Sequence, residues 1–174
     1  MDRILSLDIA ASVTGWAFTL SEPFSQFKFG TIETSAKLSR AQRLVKYRKD
    51  LSVILKELKP TRVVIEDVFS GLNPTILILL SKFAGVTEES CLSILGIEPF
   101  IIHTNTVKAY FKTRTKADLF DFVVDLFEFD KTKFTFKKCN DMGDALAQLI
   151  CYCHTIIECR EFRIEKEYGY LYEV

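Results

Sequence analysis

The chain opens with three runs rich in β-branched and aromatic residues, and these runs limit the folds it can adopt. The run at 3–10 alternates with period two. One side of the predicted strand carries Ile4, Ser6 and Asp8, and the other carries Leu5, Leu7 and Ile9. The runs at 12–20 and 24–33 follow, with the turn signal "SEP" between them. Together the runs predict an antiparallel meander of three strands.

Helical and strand patterns alternate after the meander. Apolar stripes predict helices at 36–58 and 74–95, and short apolar runs predict strands at 61–69 and 99–103. Further helices are predicted at about 105–112, 115–128 and 141–159, whereas 160–174 fits either a strand or a loose end. This order predicts an α/β fold with a five-stranded mixed sheet, three antiparallel strands and then two parallel ones, flanked by helices.

Length and charge limit the class of protein. A chain of 174 residues suits one domain, which we place at 1–174. Its 23 basic and 23 acidic residues cancel, so that only local patches could hold a polyanion. The chain shows neither the pattern of a signal peptide nor an apolar stretch long enough to span a membrane, and we therefore expect a cytoplasmic protein.

Five cysteines raise the alternative of a zinc site, because four suitable ligands lie in one short segment, namely Cys151, Cys153, His154 and Cys159. On a helix, however, Cys151 and Cys153 point about 200° apart, since one turn takes 3.6 residues. An odd number of cysteines without an export signal also favours reduced thiols. We therefore interpret these cysteines as small core residues.

Three segments supply acidic residues that could take part in catalysis or bind a metal ion. Asp8 interrupts an apolar strand, where an unpaired carboxylate is costly to bury unless a salt bridge or a hydrogen bond offsets the cost. Glu66 and Asp67 end the predicted fourth strand, and taken alone they fit a solvated strand end. Asp141 and Asp144 lie three positions apart at the start of the last predicted helix.

The aspartate pair has two interpretations. Asn140 or Asp141 could be the N-cap of the helix, with Asp144 in the first turn, where the helix dipole favours negative charge. Alternatively, both carboxylates address one target, because residues at i and i+3 share a helix face.

One α/β core could bring the acids of the three segments together. Carboxylates in one place repel each other unless cations neutralise them, and hard oxygen ligands suit Mg²⁺ or Mn²⁺. Two such ions about 3.5–4 Å apart can hold the attacking water and the leaving oxygen of a phosphoryl displacement. The histidines, His103 and His154, belong to no recognisable acid–base motif, and we expect His103 to face solvent.

Three motifs, "LSLDIAASVTGWAF", "VVIEDVF" and "NDMGDALAQLICYCH", resemble those of the RuvC-type Holliday junction resolvases, which belong to the ribonuclease H-like superfamily. The resemblance spans residues 4 to 155. It implies a ribonuclease H-like fold and an endonuclease that nicks four-way DNA junctions symmetrically in recombination or repair. It also implies two Mg²⁺ or Mn²⁺ ions per active site, bound by the catalytic residues Asp8, Glu66, Asp141 and Asp144.

The chain departs from the family pattern at two places. Asp67 occupies a position that is usually uncharged in the bacterial enzymes, and it is either an added ligand or a solvated residue. The residues after Asp8 read "IAAS", where the family commonly has a proline or a glycine pair. This second difference leaves the shape of the first turn open.

The resemblance also implies a basic surface for DNA, and two segments supply one. The first carries Lys108, Lys112, Arg114 and Lys116, and the second carries Lys131, Lys133, Lys137 and Lys138. By similarity, Lys108 lies near the scissile phosphate, Lys116 is a second basic position, and Phe69 lies against the junction bases. In the alternative interpretation, Phe69 is a core residue and the second segment is an exposed loop that Phe134 and Phe136 anchor.

A junction has two equivalent strands to cut, so we expect a homodimer, with the helix 74–95 as either its interface or part of the core. We expect no nucleotide cofactor, because an actin-like ATPase would need glycine-rich motifs that the chain lacks. A related nuclease that acts on other branched DNA or on RNA is the main alternative, since the acids act on phosphate in each case. The intact set of acids disfavours a non-catalytic DNA-binding relative.

Overall fold

The computed structural model describes residues 1–20, 27–68, 73–157 and 171–173. In chain order, its elements are β1 (Arg3–Asp8), β2 (Val13–Leu20), β3 (Lys28–Glu33), α1 (Arg40–Leu58), β4 (Arg62–Glu66), α2 (Pro74–Leu95), β5 (Phe100–Ile102), α3 (Thr104–Phe111), α4 (Lys116–Leu126), α5 (Phe136–Thr155) and β6 (Leu171–Glu173). None of the helices in the described ranges is long and apolar enough to cross a membrane.

The strands form one sheet in the order β5-β4-β1-β2-β3-β6. β2 pairs antiparallel with both β1 and β3, and β4 pairs parallel with both β1 and β5. The predicted five-stranded mixed sheet is therefore confirmed, including the direction of each pairing. A sixth strand, β6, pairs parallel with β3 and comes from the tail segment whose structure the sequence left open.

Helices cover both faces of the sheet, and the side-chain alternation of β1 decides which core each residue enters. Leu5 and Leu7 belong to the core beneath α1 and α2. Ile4 belongs to the core beneath α3, α4 and α5, and Ser6 on the same side contacts α5 through Gln148. The predicted assignment of these residues to opposite faces is confirmed, and the Asp8 side is the side on which α5 packs.

Capping residues define the ends of the first two long helices. α1 begins at Arg40, later than the predicted start at 36, because Ser39 and Gln42 form a capping box. The Gln42 amide donates to Ser39 Oγ at 3.2 Å, and the Ser39 amide donates to Gln42 Oε1 at 2.9 Å. α2 begins with Pro74 after the N-cap Asn73 and ends at Leu95, and its C-cap Gly96 has a left-handed conformation with φ of 72°.

α5 begins at Phe136 and not at Asp141, so the predicted N-cap role of Asn140 or Asp141 is wrong. Thr135 is the N-cap residue, and its carbonyl accepts from the amides of Lys138 and Cys139. The buried Phe134 anchors this start, because its ring stacks on Phe120 with centroids 5.5 Å apart. Two turns of helix therefore precede Asp144, and the aspartates lie within the helix.

Candidate active site

Two neighbouring parallel strands each end with a carboxylate. Asp8 is the last residue of β1, and Glu66 is the last residue of β4, with which β1 pairs directly. Because both strands run the same way, their final side chains meet at one edge of the sheet. Asp8 is only 5% exposed, and its carboxyl group is close enough to that of Glu66 for the two to interact.

A glycine in β2 brings the aspartates of α5 to this edge. Gly15 lies opposite Asp8 in the β1–β2 pairing, and a Cβ atom on Gly15 would overlap with the backbone carbonyl of Asp141. The missing side chain therefore lets the α5 backbone approach the sheet at Asp141. Our sequence interpretation did not use this residue, although a lone glycine inside a strand pattern is a known signal for close backbone approach.

The carboxylates raise each other's proton affinity. The pKa of Asp8 is well above its ordinary value because of burial first, and then because of the negative charges of Glu66 and Asp144. The pKa of Asp144 is also raised, mainly by burial, and Asp144 is 7% exposed. Burial likewise raises the pKa of the partly buried Asp141. Such a cluster favours any cation that can enter it.

Lys116 provides positive charge inside the cluster. Its Nζ atom lies 2.6 Å from Oδ2 of Asp144, and its charge also acts on Asp8 and Asp141. Burial lowers the pKa of Lys116, but Asp8 and Asp144 raise it by more, so that the net shift is upward. The lysine therefore stays protonated at neutral pH and partly offsets the repulsion among the acids.

Glu66 and its neighbour Asp67 have different environments. The hydroxyl of Thr104, the first residue of α3, donates to Oε1 of Glu66. Asp67 instead pairs with the exposed His103, whose Nδ1 lies 3.0 Å from Oδ2 of Asp67. Glu66 thus faces the carboxylates of Asp8 and Asp144, whereas Asp67 lies at the rim of the site, beside the exposed His103. Thr104 was not among the predicted site residues, and only its position directly after a strand could have indicated it.

A polar contact braces the two elements that carry the aspartates. Ser6 Oγ donates to Oε1 of Gln148 at 3.2 Å, and both residues are buried. Ser6 precedes Asp8 by two residues on the same face of β1, and Gln148 follows Asp144 by one helical turn. The bond therefore links β1 and α5 directly beneath the acids, and the sequence interpretation missed it.

The structure places the predicted DNA-binding residues at different distances from the acids along the surface. Lys108 and Lys116 line the same cleft as Glu66 and Asp144. Lys112 and Arg114 lie in the exposed connection between α3 and α4, and Lys137 and Lys138 are exposed in the first turn of α5. Lys133 is exposed and lies 3.8 Å from Asp130. Phe69 lies outside the described residues.

The second basic segment has one of the two core-anchoring phenylalanines that the alternative interpretation predicted. Phe134 is buried and anchors the segment in the core, as the alternative interpretation expected. Phe136 is 44% exposed, and its ring meets the edge of Phe120 with centroids 5.4 Å apart. Lysines therefore project from a segment whose backbone is fixed by aromatic packing.

The cysteine segment has the environment of a core helix. Cys151 and Cys153 are buried on α5, and Nδ1 of His154 bonds with the hydroxyl of Tyr110. Cys159 lies outside the described residues. Within the ranges that the structure describes, no three His, Cys, Asp or Glu side chains already stand in a metal-coordinating arrangement. Cys151 and Cys153 belong to the hydrophobic core, in line with our interpretation of them as small core residues.

The donor set of the carboxylate cluster nevertheless fits a hard divalent ion. Asp8, Glu66 and Asp144 lie close enough at one end of the sheet for their charges to interact, and the charge of Asp141 on α5 also acts on Asp144. Oxygen-only donor sets suit Mg²⁺ or Mn²⁺ far better than Zn²⁺ or Cu²⁺. Burial and mutual repulsion of the carboxylates favour the binding of cations, and the half-exposed Lys116 supplies only part of the positive charge.

Comparisons with known proteins match this chain to one family. Residues 4–154 match the family model for "Crossover junction endodeoxyribonuclease RuvC". The chain is 29% identical over 161 residues to the RuvC of Wolbachia sp. subsp. Brugia malayi (strain TRS), covering 89% of this chain and 96% of the relative. It is 28% identical over 157 residues to the RuvC of Caldicellulosiruptor saccharolyticus, covering 86% and 91% respectively.

Solved structures show the same fold at lower identity. RuvC of T. thermophilus in complex with a Holliday junction substrate superposes with a TM-score of 0.72 at 12% identity, covering 90% of this chain and 96% of that one. The yeast mitochondrial Holliday junction resolvase Ydc2 superposes with a TM-score of 0.61 at 12% identity, covering 91% and 83%. The ribonuclease H-like fold that the motifs implied is therefore confirmed.

Proposed function

Because this chain belongs to the RuvC family of crossover junction endodeoxyribonucleases, we propose that it resolves four-way DNA junctions by paired, symmetric strand nicks. One observation carries the assignment of the reaction to particular residues. Asp8, Glu66 and Asp144 come from β1, β4 and α5, and their carboxylates influence one another at a single edge of the sheet. The proposed catalytic set is these three residues and Asp141.

In the proposed mechanism, the four acids hold two divalent ions, Mg²⁺ or Mn²⁺. When bound, such ions activate a water for attack on the phosphodiester and neutralise the charge that develops on the leaving oxygen. Thr104 orients Glu66 through its hydroxyl, and the Ser6–Gln148 hydrogen bond holds α5 against β1. The chain thereby supplies a rigid set of oxygen ligands.

Basic residues beside the acids are proposed to hold the DNA strand. Lys108 and Lys116 line the cleft and are close enough to the acids to neutralise the phosphate that is cut. Lys112, Arg114, Lys133, Lys137 and Lys138 extend this charge over the neighbouring surface. We also assign Phe69 a contact with the junction bases, on the strength of the family resemblance alone.

Paired nicks require two active sites, so we propose a homodimer that acts on the junction. The helix α2 supports this assignment. Phe83, Thr87 and Cys91 bury one side of it against the core, whereas Ile76, Ile78 and Leu92 expose 48%, 55% and 56% of their surface. Exposed aliphatic residues near both ends of this core helix leave apolar surface that a second copy of the chain could cover. Light scattering at several concentrations tests the dimer.

Cleavage of a labelled, immobile four-way junction tests the function, with a flap, a duplex and an RNA–DNA hybrid as parallel substrates, each in Mg²⁺ and in EDTA. Paired symmetric nicks in the junction alone, lost in EDTA, are the expected result. Cutting of the flap or the hybrid in preference to the junction would contradict the proposed substrate and leave the proposed metal site standing. An Asp8→Asn variant should bind the junction without cutting it, and cutting at the wild-type rate would contradict the assignment of Asp8.

A further inference from the structure

The turn after Asp8 is held by hydrogen bonds to side chains. Residues 9–12 follow Asp8 directly and lack the proline or glycine pair of the family pattern. The hydroxyl of Thr14 donates to the carbonyl of Ala10 at 3.1 Å and accepts from the amide of Ala10 at 3.3 Å. Both the amide and the carbonyl of Ala10, two residues after Asp8, are thus held by one side chain.

A second contact comes from α1. The guanidinium of Arg43 donates to the carbonyl of Ala11, and its Nε donates to the hydroxyl of Thr34 at 3.4 Å. Thr34 follows β3, and its own hydroxyl donates to the same Ala11 carbonyl at 2.6 Å. The Thr34 amide also donates to the carbonyl of Ser12 at 2.8 Å. Arg43 therefore faces the turn and is partly buried, whereas Lys46 and Arg48 on the same helix are exposed.

One helical turn after Arg43, Tyr47 completes the arrangement. Its hydroxyl lies 2.8 Å from Oγ1 of Thr87 on α2, and it also interacts with the nearby hydroxyl of Thr14. Tyr47 is fully buried, and its ring packs against Phe83 with centroids 5.0 Å apart. Tyr47 therefore connects α2 with Thr14, whose hydroxyl holds the backbone behind Asp8.

We propose that Arg43 and Tyr47 are positioning residues for Asp8. They fix the conformation of the first turn, which lacks the proline or glycine pair of the family pattern, and thereby orient the carboxylate of Asp8. The inference rests on the proposed function, because it assumes that Asp8 binds a divalent ion. Ion affinity depends on where the ligand oxygens stand, and supporting hydrogen bonds behind a ligand commonly change metal affinity by roughly tenfold or more. Neither residue lines the cleft or needs to contact DNA.

Three variants test the proposal. Arg43→Met removes the bonds to Ala11 and Thr34 together with the guanidinium over the Phe83 ring, and Arg43→Lys restores one donor. Tyr47→Phe removes only the hydroxyl. The matched control is Arg48→Met on the same helix, since Arg48 is exposed and pairs with Glu89 at 3.0 Å, away from the turn.

Mn²⁺ binding is measured by calorimetry without DNA, and the Mn²⁺ dependence of junction cutting is measured in parallel. We expect Arg43→Met and Tyr47→Phe to weaken Mn²⁺ binding by roughly tenfold, with junction affinity in EDTA unchanged and with partial recovery in Arg43→Lys. Arg48→Met should match the wild type.

Unchanged Mn²⁺ affinity in folded Tyr47→Phe would overturn the proposal, even if Arg43→Met fails to fold. Equal losses in Arg48→Met would also overturn it, because they would show a general effect of α1. These results differ from a failure of the proposed function, in which the wild type itself would bind Mn²⁺ but cut no junction.

Discussion

The ammonium group of Lys116 lies 2.6 Å from the carboxylate of Asp144 and joins the first residue of α4 to the third turn of α5. The lysine side chain is half exposed, whereas the aspartate side chain is 9% exposed. Removal of the lysine therefore leaves a buried carboxylate without its closest cation, which costs more than the pair itself contributes.

We expect Lys116→Met to destabilise the protein by about 1 kcal/mol in EDTA, since solvent screens a half-exposed lysine. The loss should be smaller in saturating Mg²⁺, because a bound ion would neutralise the same carboxylates. Urea denaturation in both conditions measures the difference. Lys131→Met is the control, as Lys131 pairs with the exposed Asp125 at 2.7 Å. Equal losses of Lys116→Met in EDTA and Mg²⁺ would contradict the prediction.

Asp8→Asn should stabilise the ion-free protein at neutral pH while abolishing cutting. The pKa of Asp8 is higher in the folded than in the unfolded chain, because of burial and of Glu66. The folded state therefore binds this proton more tightly, and the free energy of unfolding falls as the pH rises from the unfolded-state pKa to the folded-state pKa. Above the folded-state pKa the whole penalty is present, and a tenfold difference in proton affinity between the two states corresponds to about 1.4 kcal/mol.

Calorimetric melting in EDTA between acidic and neutral pH measures this effect. Each kcal/mol corresponds to about 2–4 °C for a chain of this size. The melting temperature of Asp8→Asn should exceed that of the wild type near pH 7, and the gap should narrow as the pH falls. A gap that does not depend on pH would contradict the titration of Asp8 as its cause.

The strand-end acids were predictable from the sequence because their signals are local. The period-two pattern of β1 puts Asp8 on a buried face, and the apolar run before Glu66 ends at that residue. The start of α5 was not predictable in this way. It depends on Phe134 stacking with Phe120 and contacting Phe129, and these contacts join segments whose spatial relation the local pattern does not contain.

Gly15→Ala should move α5 away from the sheet, because the added methyl group would overlap with the backbone carbonyl of Asp141. A backbone atom in a packed helix cannot rotate away, so we expect a loss of about 3 kcal/mol, at the upper end for overpacking, together with weakened cutting. Gly85→Ala is the matched control. Gly85 lies in α2 with nothing near the added methyl group, and its replacement should gain about 0.5–1 kcal/mol. Equal effects of the two substitutions on urea denaturation would contradict the close approach.

The same glycine shows why part of the site escaped the sequence interpretation. Gly15 and Asp141 are far apart in the chain, and only the register of β2 against β1 shows that one faces the other. The Lys116–Asp144 pair is similar, because the family resemblance assigned Lys116 to DNA and no local pattern linked it to α5. The individual acids of the site could be predicted from the sequence, but the contacts between distant segments that complete the site could not.

Glu66→Gln and Asp67→Asn should separate the two acids at the end of β4. Glu66 faces Asp8 and accepts from Thr104, so its replacement removes a ligand of the proposed ions and should slow junction cutting on the order of 100-fold, at least as much as the loss of a residue that supports a metal ligand. Asp67 pairs with His103 at the rim, and Asp67→Asn should cut near the wild-type rate. Single-turnover cutting in saturating Mg²⁺ measures both variants. A comparable loss in Asp67→Asn would instead make Asp67 a further ligand.

Lys137 and Lys138 give a prediction about DNA affinity that does not involve the metal site. Both are exposed in the first turn of α5, beside a loop that Phe134 holds in place. Lys137→Gln with Lys138→Gln should weaken junction binding in EDTA and reduce the slope of log affinity against log salt by about 0.9 for each lost phosphate contact. Lys56→Gln is the control, because Lys56 lies in the last turn of α1, near the start of β1 and away from Asp8. A salt slope that stays unchanged in the double variant, or falls equally in the control, would remove α5 from the DNA surface. Thermal melting of the three proteins ensures that the comparison is made on folded chains.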